Sequence, residues 1–446
     1  MRWLLGSVAA LAIGCGGHNN SSNPDAPVGP GFDGSDYDAP SAGGTTIQVT
    51  LTNRPDQAAM FSFVVAYQDG SGPWQLAGAP SGDTYTFDVN SPSWAVAWTC
   101  NAVVNGQNGA LSLRNVTEAH FAVAERTMLT MDVPPRCTDR DPPLVALSGT
   151  VNNRSGGFYV VNFGDRSAIV GQQGTYRILT PAGTHDLVLR HLQFSGSTND
   201  YTVAETAIDR GVAVTADTAH DLDASIAVAT QAFNVDVTPP QNGRAQATTL
   251  LYSAGGTQAT MARVGQNYQS IALDPAQAAA GDVYDQQILV AAAGQTAIVT
   301  NATATPGDQT FTAPDPLGGA TSTVPATAPY PQILTTWAPY ANIVGYTWTA
   351  AQQPSLPDCG GTTPCLITWS ALLSPGVTGN SPGYRMPDLS ALTGWDPAVA
   401  FVAGTQIAGY AEADTSSAGA SDFPAATPPA VGTQRVMVRS DFTVTP

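Results

Sequence analysis

Apolar side chains recur at every second position in one short run after another of this chain, and that rhythm limits its fold more than any other feature. In TIQVTLT (46–52) Ile47, Val49 and Leu51 share one face, and in TYTFDV (84–89) Tyr85, Phe87 and Val89 do. WAVAW (94–98) alternates Trp94, Val96 and Trp98 with alanine, and TMLTMDV (127–133) aligns Thr127, Leu129, Met131 and Val133. A period of two places alternate side chains on opposite faces of a strand, whereas a helix needs 3.6. The runs are short and are separated by Gly, Asn, Asp and Pro, with Asn105-Gly106 and Asn108-Gly109 as strong hairpin signals. The expected fold class is all-β, in tandem antiparallel β-sandwich modules. The stretch 275–293 also allows one short helix.

Proline clusters punctuate the chain at Pro134-Pro135 with Pro142-Pro143, at Pro239-Pro240, and from Pro314 to Pro331. An internal repeat runs beside them. GDTYTFDVNSPSWAVAW (82–98) aligns without a gap on QGTYRILTPAGTHDLVL (173–189), with Tyr85 on Tyr176, Phe87 on Ile178, Val96 on Leu187 and Trp98 on Leu189. A weaker third copy starts at GQNYQSIAL (265–273), with Tyr268 in the matching place. The organisation expected is three β modules at 45–139, 140–238 and 239–320, then a tryptophan-richer C-terminal β-domain at 321–446. Module size and strand pattern resemble immunoglobulin-like or fibronectin-type-III-like sandwiches. The Cys…Trp…Cys signature is not met, since Trp94 and Trp98 precede Cys100 and no tryptophan lies between Cys100 and Cys137.

The start of the chain reads as an address. Met1-Arg2 is a minimal positive segment, and Leu4 to Ile13 is an apolar run too short to span a bilayer but suited to a signal peptide over 1–14. Ala12-Ile13-Gly14-Cys15 resembles the lipobox of bacterial lipoproteins, with Ala12 where leucine is usual and Leu11 one place early. The resemblance implies that Cys15 is lipidated and becomes the new N-terminus. Gly16 in place of aspartate implies the outer membrane, facing the cell surface or the periplasm. Ala10-Leu11-Ala12 is itself an A-x-A-like cleavage site, and use of it leaves a soluble exported protein. Residues 15–44 carry the lipidated cysteine and a tract of Gly, Ser, Asn, Pro, Asp and Ala that cannot repay its ordering entropy, so it reads as a disordered tether. Such a length reaches roughly 30 Å if flexible.

Charge narrows the partners. The 446 residues contain no lysine, and 16 arginines against 34 acids give a net charge of −18, which disfavours nucleic acid and anionic membrane surfaces. With Cys15 lipidated, Cys100, Cys137, Cys359 and Cys365 remain, an even number that reads as disulfides in an exported chain. Three pairings are open; proximity favours Cys100 with Cys137 and Cys359 with Cys365.

Catalytic signatures are sparse. GPGFDG (29–34) fits G-x-G-x-x-G but lies in the tether, without the strand and helix that a dinucleotide site needs. Asp33, Asp36 and Asp38 lack the Gly and Glu of a calcium loop, because Ser41 and Ile47 stand at those places. His18 is in the tether, His185 and His191 lie too far apart on one strand to share a metal, and adjacent His220-Asp221 point to opposite faces. No H-E-x-x-H, G-x-S-x-G or C-x-x-C occurs, and no cofactor or metal is expected. The reading expected is a non-catalytic, membrane-anchored envelope lipoprotein for adhesion, partner binding or spacing. One alternative is a carbohydrate-binding lipoprotein whose ligand contact is Trp74 or a C-terminal tryptophan. Another is an exported hydrolase using acids such as Asp358, Asp388 or Asp396 in its C-terminal domain.

Overall fold

The computed structural model describes residues 44–106, 109–134, 137–140, 142–194, 200–239, 243–292, 294–354, 365–425 and 427–446. Four units of strand follow one another. The first holds β1 (Thr45–Thr52), β2 (Val65–Asp69), β3 (Gln75–Leu76), β4 (Thr84–Val89), β5 (Ser93–Gly106), β6 (Gly109–Ala122) and β7 (Met128–Asp132). The second holds β8 (Leu144–Asn152), β9 (Phe158–Phe163), β10 (Arg166–Ile169), β11 (Thr175–Pro181), β12 (Gly183–Phe194), β13 (Tyr201–Val214), β14 (Thr218–Ala219), β15 (Leu222–Asp223) and β16 (Val228–Ala229). The third holds β17 (Gln231–Thr238), β18 (Arg244–Tyr252), β19 (Gln258–Val264), β20 (Gln269–Ala272), β21 (Val283–Ala292), β22 (Gln295–Thr303) and β23 (Gln309–Thr312). The fourth holds β24 (Thr321–Ala326), β25 (Gln332–Thr336), β26 (Gly345–Gln352), β27 (Cys365–Leu373), the short helix α1 (Pro375–Thr378), β28 (Gly383–Arg385), β29 (Ile407–Ser416) and β30 (Gln434–Val444).

The first three units share one topology. In the first, a small sheet β4-β1-β7, with β1 antiparallel to β4 and parallel to β7, faces an antiparallel sheet β3-β2-β5-β6. The second repeats this as β11-β8-β14 and β10-β9-β12-β13, and the third as β20-β17-β23 and β19-β18-β21-β22. The repeat seen in the sequence is therefore β4–β5 laid on β11–β12, with Tyr85, Phe87, Val96 and Trp98 buried at the same places as Tyr176, Ile178, Leu187 and Leu189. This order differs from the ABED/CFG arrangement of immunoglobulin domains, so that likeness extends to two packed sheets and stops at the strand order. The third unit begins at β17, not at 239, because Gln231–Thr238 pairs with β20 and β23. Pro239 falls after the first strand of that unit rather than ahead of it. The described part of that stretch, 275–292, forms a turn, closed by Gln277 N–H on the Asp274 carbonyl at 2.8 Å, and then β21, with no helix among those residues.

The larger sheets join edge to edge. β13 pairs with β19, β22 with β30, and β27 with β6, giving one ladder through the second, third, fourth and first units in that order. β10 and β3, its two ends, are each paired on one side only, so the ladder stays open and does not close into a barrel. Both end strands are very short, which limits unwanted pairing of the free edges. The fourth unit, with its own small sheet β24-β25-β28, has partners on both outer strands.

Neighbouring side chains across the β6–β27 seam show how the faces are used. Val116 and Trp369 both enter the core of the fourth unit, whereas Ala119 and Leu372 both enter that of the first. The two small sheets thus cover opposite faces of the shared ladder. This is why the outward alanines of WAVAW are buried: Ala97 packs in the fourth unit's core while Trp94 and Trp98 pack in their own. Likewise Val160 and Val188 turn away from the second unit's core and join Leu251, Met261 and Ile271 of the third.

A charged clamp closes the seam between the second and third units. Arg210 Nη1 donates to Asp186 Oδ2 at 2.7 Å and to Asp282 Oδ1 at 2.9 Å, while Nη2 donates to Asp282 Oδ2 at 2.8 Å. Both carboxylates are buried and take further hydrogen bonds from the N–H groups of Gly211, Gly255, Ala254 and Ala279. Burial pushes the Asp186 pKa up, but the Gly211 N–H, the Arg210 guanidinium and the other donors outweigh it and hold it below 3.8.

Cys100 and Cys137 form a disulfide with Cα atoms 5.7 Å apart, as proximity suggested. Cys365 is also in a disulfide, while Cys359 lies outside the described residues.

Two stability predictions follow from these bonds. Replacing Cys100 and Cys137 together by alanine should lower the unfolding free energy by about 4 kcal/mol in a urea titration, since a 37-residue separation is no longer closed in the unfolded chain. Arg210→Ala should cost about 3–5 kcal/mol, because it strands two buried carboxylates. The Asp186 share of the clamp is complete above its unfolded pKa of about 3.8 and fades as pH falls through its lower folded value, so the penalty should persist at pH 7 and shrink in strong acid. An Arg210→Ala protein as stable as the parent at pH 7 would contradict the clamp.

Candidate functional site

Beyond the Arg210 clamp, two gatherings of chemistry-bearing side chains among the described residues involve the fourth unit. The first is the seam with the first unit. In β6, Arg114, Val116, Glu118 and His120 occupy alternate positions and so share one face, which lies against the fourth unit. Glu118 is 0% exposed, His120 1% and Tyr384 2%. Tyr384 Oη donates to Glu118 Oε1 at 2.8 Å, and His120 Nε2 lies 3.2 Å from Glu118 Oε2. Trp348 packs on the Tyr384 ring at 4.5 Å between centroids. Burial raises the Glu118 pKa well above 4.5, against a smaller opposing effect of the Tyr384 hydrogen bond, and it also raises that of Tyr384. The group is sealed from solvent; it pins two units together and no substrate reaches it in this conformation. Arg114 Nη1 donates to the Ala398 carbonyl at 3.0 Å and Asn101 Nδ2 to Asp396 Oδ2 at 2.8 Å, which extends the same pin.

Sequence reasoning missed this cluster. The available signal was the i, i+2, i+4, i+6 spacing of Arg114, Val116, Glu118 and His120 in a segment with strand character. Ionisable groups at that spacing occupy a single face, and a charged face on a strand between two buried faces has to find partners.

The second place is a cavity of about 450 Å³ in the fourth unit. Its walls include Thr327, Tyr330, Ser390, Trp395, Pro397 and Phe401. Tyr330 and Trp395 stack at 6.0 Å with 22° between planes, and Trp369 supports Trp395 from beneath at 6.0 Å and 59°. Tyr330 is held by two hydrogen bonds: its Oη donates to the Pro387 carbonyl at 2.7 Å and accepts from Leu389 N–H at 2.9 Å. Ser390 Oγ donates to Asp388 Oδ1 at 2.6 Å. The Trp395 indole N–H is buried without an acceptor among the described residues.

The residues singled out from the sequence are scattered. Trp74 is half-buried, packs against the fourth unit's core and meets the His120 ring edge-on at 5.8 Å. Trp337, Trp348 and Trp369 are buried. Asp388 is exposed and accepts from Ser390 N–H at 2.9 Å. Asp396 caps the turn at 397–399 through Ala398 N–H at 2.9 Å; burial opposes its ionisation, but Asn101 and Ala398 lower its pKa overall. Neither acid lines the cavity. His185 Nδ1 is 3.2 Å from the Gly255 carbonyl, His191 stacks on Tyr159 at 4.4 Å and approaches Glu205, and His220 pairs with Asp209 at 2.8 Å rather than with Asp221. Among the described residues no three His, Cys, Asp or Glu side chains gather as a metal site. Cys15, His18, Asp33, Asp36, Asp38 and Asp358 lie outside the described residues.

No protein-family model matches the chain, and no curated protein matches it. Among solved structures, it is similar to a DUF3823 family protein from Bacteroides ovatus, at 15% identity and TM-score 0.13, over 33% of this chain and 91% of that one. A DUF3823 family protein from Parabacteroides merdae matches at 13% identity and TM-score 0.14, over 34% and 92%. A streptococcal ancillary pilin matches at 8% identity and TM-score 0.14, over 60% and 98%. Overlaps this small add nothing to the topology described above.

Glu118 gives this site a pH signature. As pH rises past about 4.5 the unfolded chain releases this proton while the folded chain keeps it, so stability falls with pH up to the raised folded pKa. Glu118→Gln keeps the shape and an acceptor for Tyr384. It should match the parent below pH 4 and gain on it by about 1.4 kcal/mol per pH unit above 4.5 until the folded group ionises. Parallel stability curves in urea titrations between pH 4 and pH 7 would show that Glu118 is ionised in the folded state.

Proposed function

We propose that this chain is a membrane-anchored, non-catalytic lipoprotein of the cell envelope, held by a lipid on Cys15 and serving in adhesion, partner binding or spacing. The observation that supports this most is the continuous ladder: three seams turn four units into one stiff body, suited to holding a surface away from its anchor. The tether of 16–44 supplies reach behind that body. The net charge of −18 directs the choice of partner toward neutral or cationic surfaces. Among the described residues no helix is long and apolar enough to cross a membrane, so on this reading attachment rests on the lipid.

A second reading, a carbohydrate-binding lipoprotein, is favoured by the aromatic cavity of the fourth unit. Its aromatic contact is Trp395 rather than Trp74, since Trp74 is committed to the seam.

Protease treatment of intact cells, with membrane and medium fractions assayed for the parent and for Cys15→Ser, tests the anchor. The parent should be in the membrane fraction and the variant should leave it. Digestion of the parent from outside assigns it to the cell surface, and protection assigns it to the periplasm. Both forms free in the medium would overturn the lipoprotein reading in favour of plain secretion.

A further inference from the structure

We infer that the cavity of the fourth unit is a binding site for a neutral pyranose ring of a glycan, with Trp395 as its stacking residue. The volume of about 450 Å³ lies within the range of small-ligand pockets. No Asp, Glu, His or Arg side chain lines it, although the chain carries 34 acids, so the site is built for an uncharged guest. Its wall is aromatic and rigid. Tyr330 is fixed by two hydrogen bonds, Trp369 is buried, and Trp395 rests against both, so little side-chain freedom remains to be lost on binding.

The Trp395 N–H has no surface open to the cavity, so this residue offers a guest its ring and not a hydrogen bond. Ser390 has its proton committed to Asp388, so its hydroxyl offers lone pairs and acts as an acceptor. A ligand must therefore present, beside an apolar ring face, a hydroxyl that donates. The C–H face of a pyranose with its ring hydroxyls satisfies this. An aliphatic side chain offers no such donor, and an anionic ligand would meet no cation.

This inference rests on the carbohydrate reading and is independent of the anchor. Isothermal titration calorimetry of the full chain carrying Cys15→Ser, against neutral oligomers of glucose, galactose, mannose and N-acetylglucosamine, tests it. At least one series should bind in the micromolar to millimolar range. Trp395→Ala should abolish that binding. Trp395→Phe, which keeps a ring of smaller area, should weaken it and serves if the alanine variant fails to fold. Ser390→Ala should weaken it, and Trp74→Ala should leave it unchanged. No binding by any neutral series, or binding that survives Trp395→Phe and Ser390→Ala undiminished, overturns the site. A failure here with Cys15→Ser still released from membranes leaves the anchored lipoprotein standing without a sugar site.

Discussion

Backbone pairing across three seams is the constraint on which the rest of this structure depends. A β-sandwich ends in strands with unpaired N–H and C=O groups, and those edges must be blunted, covered or paired. Here six of them pair with one another. The β6–β27 seam is parallel and nine residue pairs long, a connection that local sequence cannot close because parallel neighbours need a long crossover. It brings a strand of the first unit against one of the fourth only after everything between them has folded or been set aside. The seam also decides side-chain choice. Strands beside it are buried on both faces, so β5 carries tryptophan inward and alanine outward, the sizes that let a second unit approach the ladder.

Edges are generic, and backbone hydrogen bonds alone would accept several registers. The polar groups at these seams remove that freedom. The fork of Arg210 meets two carboxylates, one from each side of its seam, and a one-residue slip would strand three charges in a buried space. Glu118 plays a related part with a neutral group. Burial shifts it toward its neutral form, which lessens the desolvation cost of a charge, and Tyr384 of the fourth unit holds it by a hydrogen bond. Two solutions to the same problem sit at two seams: full ionic satisfaction in one, suppression of the charge in the other.

What was legible in the sequence follows the range of the interactions. Alternation located β1, β4, β5 and β7, and the repeat caught the equivalence of β4–β5 with β11–β12, because one strand face leaves a period in its own residues. The Cys100–Cys137 bond was legible by proximity within one unit. The third unit's start was misplaced because Pro239 was read as a linker, whereas it ends the unit's first strand. The ladder was not legible at all, since pairing of residue 365 with 112 leaves no periodic trace in either segment. Nor was the cavity, whose Tyr330 and Trp395 are brought together by packing alone.

The fourth unit stands between the third and the first in the ladder although it comes last in the chain, and that placement bears on what it can do. Its outer strands β30 and β27 are both paired, so its larger sheet has no free edge and little room to breathe. The loop that carries Asp396, Pro397 and Ala398 is bolted to the first unit by Asn101 and Arg114, and the same loop leads into Phe401 on the cavity wall. Positions held from two sides are where a binding geometry is cheapest to maintain, because the scaffold rather than the ligand fixes the side chains. The bracing that stiffens this body thus also preorganises the aromatic cavity, so that rigidity and the shape of the cavity draw on the same hydrogen bonds.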